Sequence, residues 1–340
     1  MARANASVSE FKLSVLDQTP VPEGLTGGDA LRNTLDLARA ADALGYHRYW
    51  LAEHHGLSLA GPAPEVLAGP VAAATERIRV GSGGVMLPHY SPFKVAESFS
   101  LLAGLFPGRI DLAIGRASGT EPITQFALQR DRRHAAADDF PQQLLELLAY
   151  FRQELPKDHP FWKLQFALPG GDEQPEIWLL GSSQQSGIWA KELGLPYAFA
   201  DFINSDGAPI AISYRGGFEP SKELTAPHSM VGLWVLCAET TEEARELAAS
   251  IQMSMLMLRR GTPIKVPPVA EAVEFLRSEG REPGVSNSRR IIVGDPETVR
   301  TGIEEAVEEY RADEAILVTI THEHAARRRS YELVANAFGL

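Results

Sequence analysis

The sequence predicts a single-domain α/β protein with the fold of a (β/α)8 barrel, the TIM barrel. Predicted strands alternate with predicted helices, and eight such strands can be identified along the 340 residues. Alternation of this kind indicates a parallel sheet, and eight strands favour a closed barrel, with an open doubly wound sheet as the alternative. Barrels of this length are commonly one domain, so we expect residues 1–340 to form one unit.

The predicted strands are short apolar runs of the kind that parallel sheets bury on both faces. They comprise residues 11–16, 46–52, 78–86, 109–114, 177–180, 197–200, 231–238 and 315–319. Helical patterns follow at residues 30–44, 92–106, 140–152, 184–193 and 240–258. Gly45 is placed to end the first helix, and Thr240 is placed to cap the long helix after the seventh strand.

Two connections are too long to be bare loops. Residues 201–228 link the sixth and seventh strands, and residues 259–297 follow the helix after the seventh strand. Long insertions in a compact domain are usually functional lids or mobile segments. We therefore expect insertions after strands six and seven that help to close a site.

Composition excludes several classes of function. The net charge of −12 argues against nucleic acid as a partner, because phosphate binding needs a basic face. No run approaches the ~18 apolar residues of a membrane span, and residues 1–10 lack the apolar stretch of a signal peptide, so we expect a cytoplasmic protein. The two adjacent histidines at 54 and 55 lack a third ligand at suitable spacing, so no metal site is predicted.

The most informative segment is Glu53-His54-His55, directly after the apolar second strand. In α/β barrels the C-terminal ends of the strands carry the active site, so a carboxylate and two imidazoles there predict chemistry. The alternative is a solvated loop with a helix-capping glutamate and two incidental histidines.

Two further strand ends have both a functional and a structural explanation. Three glycines fall within residues 81–84, which indicates either close approach of a flat ligand to Gly83 and Gly84 or a simple bulge. Arg116 follows the fourth strand, where it is either a cation for phosphate or carboxylate or an ordinary surface salt bridge.

The fifth strand runs into a Gly181-Ser182-Ser183 turn and then into a helix. Backbone N–H groups at that helix start, together with the hydroxyls, can bind an anion, and plain serine capping is the alternative. No Gly-x-Gly-x-x-Gly motif follows any predicted strand, so a Rossmann dinucleotide site is unsupported.

Taken in order, these segments resemble the luciferase-like flavin monooxygenases, whose best-known members are the bacterial luciferases. The matching segments are residues 49–55, 80–88, 107–116, 175–183 and 293–299. Residues 13–24 resemble a non-bioluminescent bacterial subgroup more than the light-emitting luciferases.

The resemblance implies a TIM barrel that holds reduced flavin mononucleotide (FMN) at its C-terminal mouth. It implies that His54 is the catalytic histidine, with Glu53 beside the flavin ring, and that a non-proline cis peptide joins Gly83 to Gly84. The remaining residues that it assigns to FMN binding are Arg116, Leu180, Gly181, Ser182, Ser183 and Ser186.

The chain also departs from luciferase. Gly115 stands where luciferases carry a reactive cysteine, and Ser182 stands where they carry a glutamate. Light emission and a long-chain aldehyde substrate are therefore not expected. The expected activity is oxygenation of a small organic substrate with O2 and reduced FMN supplied by a separate flavin reductase. The alternatives are deazaflavin-dependent hydride transfer and non-catalytic flavin binding.

A homodimer is also expected, both from the resemblance and from the helix at 92–106. Its apolar residues exceed a single helical stripe, which is typical of a helix buried on two sides. These residues are Phe93, Phe99, Leu101, Leu102 and Leu105.

Overall fold

Eight parallel strands close into a barrel in the computed structural model, which describes residues 11–116, 122–129, 131–133, 138–286 and 290–340. The strands are β1 (Lys12–Asp17), β2 (Arg48–Leu51), β3 (Arg79–Met86), β4 (Ile110–Gly115), β5 (Glu176–Gly181), β6 (Tyr197–Ala200), β7 (Ser229–Cys237) and β9 (Glu314–Val318). Strands β1 to β6 pair in chain order, β9 lies between β1 and β7, and pairing of β6 with β7 closes the ring. The predicted TIM barrel is confirmed.

Helices surround this ring. They are α1 (Gly27–Leu44), α2 (Pro64–Ala73), α3 (Pro92–Leu105), α4 (Pro122–Leu128), α5 (Phe140–Arg152), α6 (Gln184–Glu192), α7 (Ala208–Gly216), α8 (Thr241–Arg259), α9 (Val269–Ser278), α10 (Pro296–Tyr310) and α11 (His324–Phe338). Short 3-10 turns cover Leu87–His89 and Trp162–Phe166. Within the described ranges, no helix combines the length and the apolar character that crossing a membrane requires.

The predicted helix ends are confirmed where the local chemistry is strong. Gly45 ends α1 at φ 90°, a left-handed conformation that glycine adopts without strain. Thr240 caps α8 by accepting a hydrogen bond from the Glu243 N–H at 3.2 Å. Helix α1 starts earlier than predicted because Thr26 and Asp29 form a reciprocal capping box.

Several elements of the described residues were not predicted, among them α2, α4, α7, α9, α11 and one strand. Helix α2 was not predicted, because it contains Pro70 and has no clear apolar face. The two long connections carry structure of their own: α7 lies in the first, and α9 and the strand β8 (Ile292–Gly294) lie in the second. Strand β8 pairs with Val235–Cys237 of β7, beyond the part of β7 that pairs with β9, so it extends the sheet outside the ring.

Apolar side chains fill the barrel in a group that we call the interior cluster. Its buried members are Leu16, Trp50, Ala52, Ala113, Trp178, Ala198, Met230, Val266, Ile316, Val318 and Ile320. A larger apolar cluster lies between the strands and the surrounding helices. Layers of inward-facing side chains make such a barrel a packed core, so ligands bind at its mouth.

A buried ion cluster lies at the N-terminal end of the barrel. Arg48 contacts Asp111 at 2.9 Å, Glu314 at 3.0 Å and Glu176 at 3.1 Å. Trp50 Nε1 donates to Asp111 at 2.9 Å, which joins this cluster to the interior cluster. A buried charge needs such partners. The ion cluster therefore occupies the N-terminal end of the barrel, and the predicted site lies at the opposite, C-terminal end.

Candidate active site

Glu53 lies directly beyond the C-terminal end of β2 and is only 1% exposed. Its Oε2 accepts a hydrogen bond from the Met86 N–H at 2.8 Å, and its Oε1 lies 3.0 Å from His55 Nε2. Burial raises the pKa of Glu53, and the hydrogen bonds from Met86 and His55 only partly oppose the rise. Glu53 therefore connects the ends of β2 and β3 and binds His55.

His54 is only partly buried, and its backbone N–H donates to the Gly61 carbonyl at 3.0 Å. Across the described part of the chain, its ring nitrogens have no hydrogen-bond partner. Burial, with a smaller contribution from the neighbouring His55, lowers the pKa of His54 to about 4. The imidazole is consequently neutral at pH 7 and can act as a hydrogen-bond donor or acceptor.

Three residues that the sequence analysis missed complete this group of titratable side chains. Tyr90 is hydrogen-bonded to Glu53, and the His89 and His55 ring centroids lie 6.2 Å apart. Burial raises the pKa of Glu65, and the negative charge of Glu53 adds to the rise. Glu65 lies on the unpredicted α2, and His89 belongs to the 3-10 turn after β3. The sequence signal for His89 and Tyr90 was their position shortly after the predicted third strand, and Glu65 had no such signal.

Gly83 and Gly84 are joined by a cis peptide bond, as the resemblance implies. A Cβ on Gly83 would lie 2.7 Å from Leu16 Cδ1, and one on Gly84 would lie 2.6 Å from the Ala113 carbonyl oxygen. The pairing of β3 with β4 also shifts register between Gly83 and Val85. The cis peptide that the resemblance implies and the bulge are therefore both present, and close approach of a flat ligand to these glycines stays a prediction.

Arg116 follows β4 and is exposed, with its Cζ 5.9 Å from the centroid of the Trp189 ring in α6. Among the residues that the structure describes, it forms no salt bridge. The preceding Gly115 is packed tightly, because a Cβ there would lie 2.7 Å from Met86 Cε and 3.0 Å from Leu180 Cδ1. Residues 117–121, which follow Arg116, lie outside the described residues.

The turn between β5 and α6 holds the predicted serines. Ser183 is exposed and its Oγ caps α6 at the Ser186 N–H, at 3.5 Å. Ser186 is buried, and its hydroxyl contacts the Ser183 carbonyl at 2.7 Å and the Tyr197 hydroxyl at 2.9 Å. The Asn204 side chain, which the sequence analysis did not identify, donates to the Ser182 carbonyl at 3.0 Å. Ser186 thus stabilises the turn, while Ser182 and Ser183 lie at the accessible start of α6.

The predicted residues lie at the ends of β2, β3, β4 and β5, which are consecutive neighbours in the barrel. Arg116 and the start of α6 offer a guanidinium, hydroxyls and backbone N–H groups, a donor set that suits phosphate. Gly83, Gly84 and Gly115 offer backbone without side chains, which suits a flat ring. This set of residues fits a phosphorylated, planar cofactor.

Comparisons with known proteins identify the family of this chain. Residues 11–314 match the family model described as luciferase-like monooxygenase. An Escherichia coli protein called luciferase-like monooxygenase is 40% identical and covers 94% of this chain and 95% of its own length. The Bacillus subtilis N-acetyl-S-alkylcysteine monooxygenase is 36% identical and covers 96% of this chain and 98% of its own length.

Solved structures give the same result. The crystal structure of apo-MsnO8 superimposes with a TM-score of 0.87 at 38% identity, covering 98% of this chain and 99% of that one. The oxygenating constituent of 3,6-diketocamphane monooxygenase from Pseudomonas putida, solved with FMN, shares the fold at a TM-score of 0.68 and 20% identity over 96% of each chain. An F420-dependent secondary alcohol dehydrogenase shares the fold at a TM-score of 0.68 and 15% identity, covering 97% of this chain and 99% of that one. The family model, the relatives and the fold together show that the chain is an enzyme of the luciferase-like monooxygenase family.

Proposed function

We propose that the protein is a two-component monooxygenase, which uses reduced FMN from a separate reductase and O2 to oxygenate a small organic substrate. The single observation that carries this proposal is the alignment of four strand ends. These ends carry the neutral imidazole of His54, the glycines of β3, the guanidinium of Arg116, which forms no salt bridge within the described residues, and the start of α6. The relative named for N-acetyl-S-alkylcysteine supports a small organic substrate.

Arg116, Ser182 and Ser183 would hold the phosphate of FMN at the start of α6. Their donors favour a dianionic phosphate over a dinucleotide, because no glycine-rich dinucleotide loop follows a strand. Gly83, Gly84 and Gly115 would lie against the flavin ring, with Leu180 and Gly181 beside it. Bound reduced FMN supplies the electrons that activate O2.

His54 would act on protons near the reacting atoms. Its imidazole is neutral at pH 7, and the rigid strand end fixes its backbone through the hydrogen bond to Gly61. Glu53 would be the supporting group, because it is buried and connects β2 to β3 through Met86. Exclusion of water from this site would protect the activated oxygen, and the segments after β6 and β7 are suited to that role.

Equilibrium titration tests the proposal. The purified protein is titrated with oxidised FMN, photoreduced FMN, flavin adenine dinucleotide and reduced deazaflavin in parallel. Tightest binding of reduced FMN is expected. Much tighter binding of the deazaflavin would favour hydride transfer instead, and flavin binding without O2-dependent product formation would favour a non-catalytic carrier.

The homodimer is part of the proposal. On α3, Leu101 is 50% exposed and Leu105 is 64% exposed, while Phe99 and Leu102 are buried in the chain itself. Exposed leucines in line on one helix are suited to a contact with a second copy. Light scattering at micromolar concentration is expected to give twice the mass of the chain, and Leu105→Glu is expected to lower it to that of a monomer. A monomeric mass for the unmodified protein would refute the dimer.

A further inference from the structure

A large apolar cavity lies beside the barrel mouth, between β7, α8, residues 280–286 and residues 291–293. Its volume is about 690 Å³, within the range of small-molecule sites. Its apolar walls include Trp234, Ile251, Met255, Leu256, Val293 and Ile320. None of these residues belongs to the flavin site described above. The cavity therefore has room for an organic group in addition to the flavin.

The walls of this cavity are continuous with the barrel interior. Trp234 and Ile251 pack against the interior cluster, and Ile320 is one of its members. The same cluster contains Trp50 and Ala52, and Ala52 directly precedes Glu53. An apolar group in the cavity would therefore contact the same packed layer that supports the Glu53-His54 segment.

The rim of the cavity carries two arginines. Arg259 ends α8 and Arg281 follows α9, and both are exposed. Within the ranges that the structure describes, neither guanidinium has a carboxylate partner. The neighbouring Arg260 differs, since it pairs with Glu279 at 2.6 Å. Glu282 is the acidic residue among the lining side chains, so this set of charges is net positive.

The segment that carries part of this rim is anchored to α8. Gln252 Nε2 donates to the Val285 carbonyl at 2.9 Å, and Gln252 Oε1 accepts from the Gly284 N–H at 2.8 Å. Residues 284 and 285 are thereby held against α8, which forms one wall of the cavity. The rim thus has a defined position relative to the apolar walls, which is what recognition of an amphipathic molecule requires.

We propose that this cavity selects the substrate as an organic acid, with the apolar body between β7 and α8 and the carboxylate at Arg259 and Arg281. The inference rests on the proposed function, because it identifies the substrate class of that enzyme. Arginine suits this task, because its planar fork matches the two oxygens of a carboxylate. Neutral molecules of the same shape would contact the apolar walls but would not form ion pairs with Arg259 and Arg281.

Isothermal titration calorimetry in the absence of flavin tests the proposal, with decanoate and decan-1-ol as probes. The wild-type protein should bind decanoate more tightly than decan-1-ol. The double variant Arg259→Gln/Arg281→Gln should lose about tenfold in affinity for decanoate, with little change for decan-1-ol. Arg260→Gln is the matched control, since its guanidinium is already paired, and it should bind both probes as the wild type does.

A second variant tests the walls independently of charge. Met255→Trp should reduce binding of both probes by filling the cavity, and circular dichroism verifies that it folds. Failure of the wild type to bind decanoate would overturn the proposal, as would equal losses for both probes in the arginine variant. These measurements need no flavin, so failure of the proposed FMN function would appear separately in the flavin titration.

Discussion

Replacement of Arg116 by alanine should weaken binding of FMN while leaving the fold intact. The guanidinium is exposed and forms no salt bridge within the described residues, so its removal leaves no buried carboxylate without a partner. We therefore expect a change of less than about 0.5 kcal/mol in the free energy of unfolding. A hydrogen bond to a charged group contributes about 1.5–3 kcal/mol, and exposure to water places Arg116 at the lower end. The Kd for FMN should rise about tenfold.

The assay compares FMN with riboflavin, which lacks the phosphate. Fluorescence titration of Arg116→Ala should show the tenfold loss for FMN and less than a twofold change for riboflavin. Arg39→Ala is the matched control, because Arg39 is an exposed arginine on α1 and lies away from the strand ends. Equal losses for the two ligands would show that Arg116 does not contact the phosphate, and the assignment of this strand end would be wrong.

Three further changes test other parts of the structure. His54→Ala should bind FMN within about threefold of wild type but should lose about 10²–10⁴-fold in product formation, which stopped-flow oxidation of reduced FMN would check. Unchanged turnover would make His54 a structural residue. The comparison variant His55→Ala removes a partner of Glu53 instead and should lose less activity. Gly81→Ala should lower the free energy of unfolding by about 1–3 kcal/mol in urea, because a Cβ would lie 2.3 Å from the Asp111 carbonyl oxygen, whereas Gly216→Ala has open space and should be neutral. The pKa of Glu314 is lowered to about 2, because hydrogen bonds and charge from His228 and Arg48 outweigh burial. The stabilisation that Glu314 contributes is therefore complete above pH 4.5 and is lost as the pH falls towards 2. In urea unfolding across this window, the free energy of unfolding should decline less for Glu314→Gln than for the wild type, and identical declines would contradict the assignment.

Local sequence was sufficient for the barrel and for the positions of the principal site residues. Apolar runs, capping residues and glycines act over a few neighbours, so β6 and α5 have the predicted bounds and Gly45 and Thr240 have the predicted roles. The Glu53-His54-His55 segment could be identified because it interrupts an apolar strand, a contrast visible in sequence alone. Helix α2 was not visible in this way, because its stability depends on packing against its neighbours and it has no amphipathic pattern.

Only the tertiary structure decided which side chains meet. Glu65, His89 and Tyr90 join Glu53 because α2 and the turn after β3 fold over the end of β2, and nothing in their local sequence encodes that contact. Ser186 was predicted to bind FMN, which stays a prediction, and the contact of its hydroxyl with Tyr197 on β6 was not visible in the sequence. The cavity between β7 and α8 likewise combines residues more than eighty positions apart. The sequence by itself determined the barrel strands and the types of residue at their ends, because those depend on neighbours along the chain, while contacts between distant segments depend on how the elements pack.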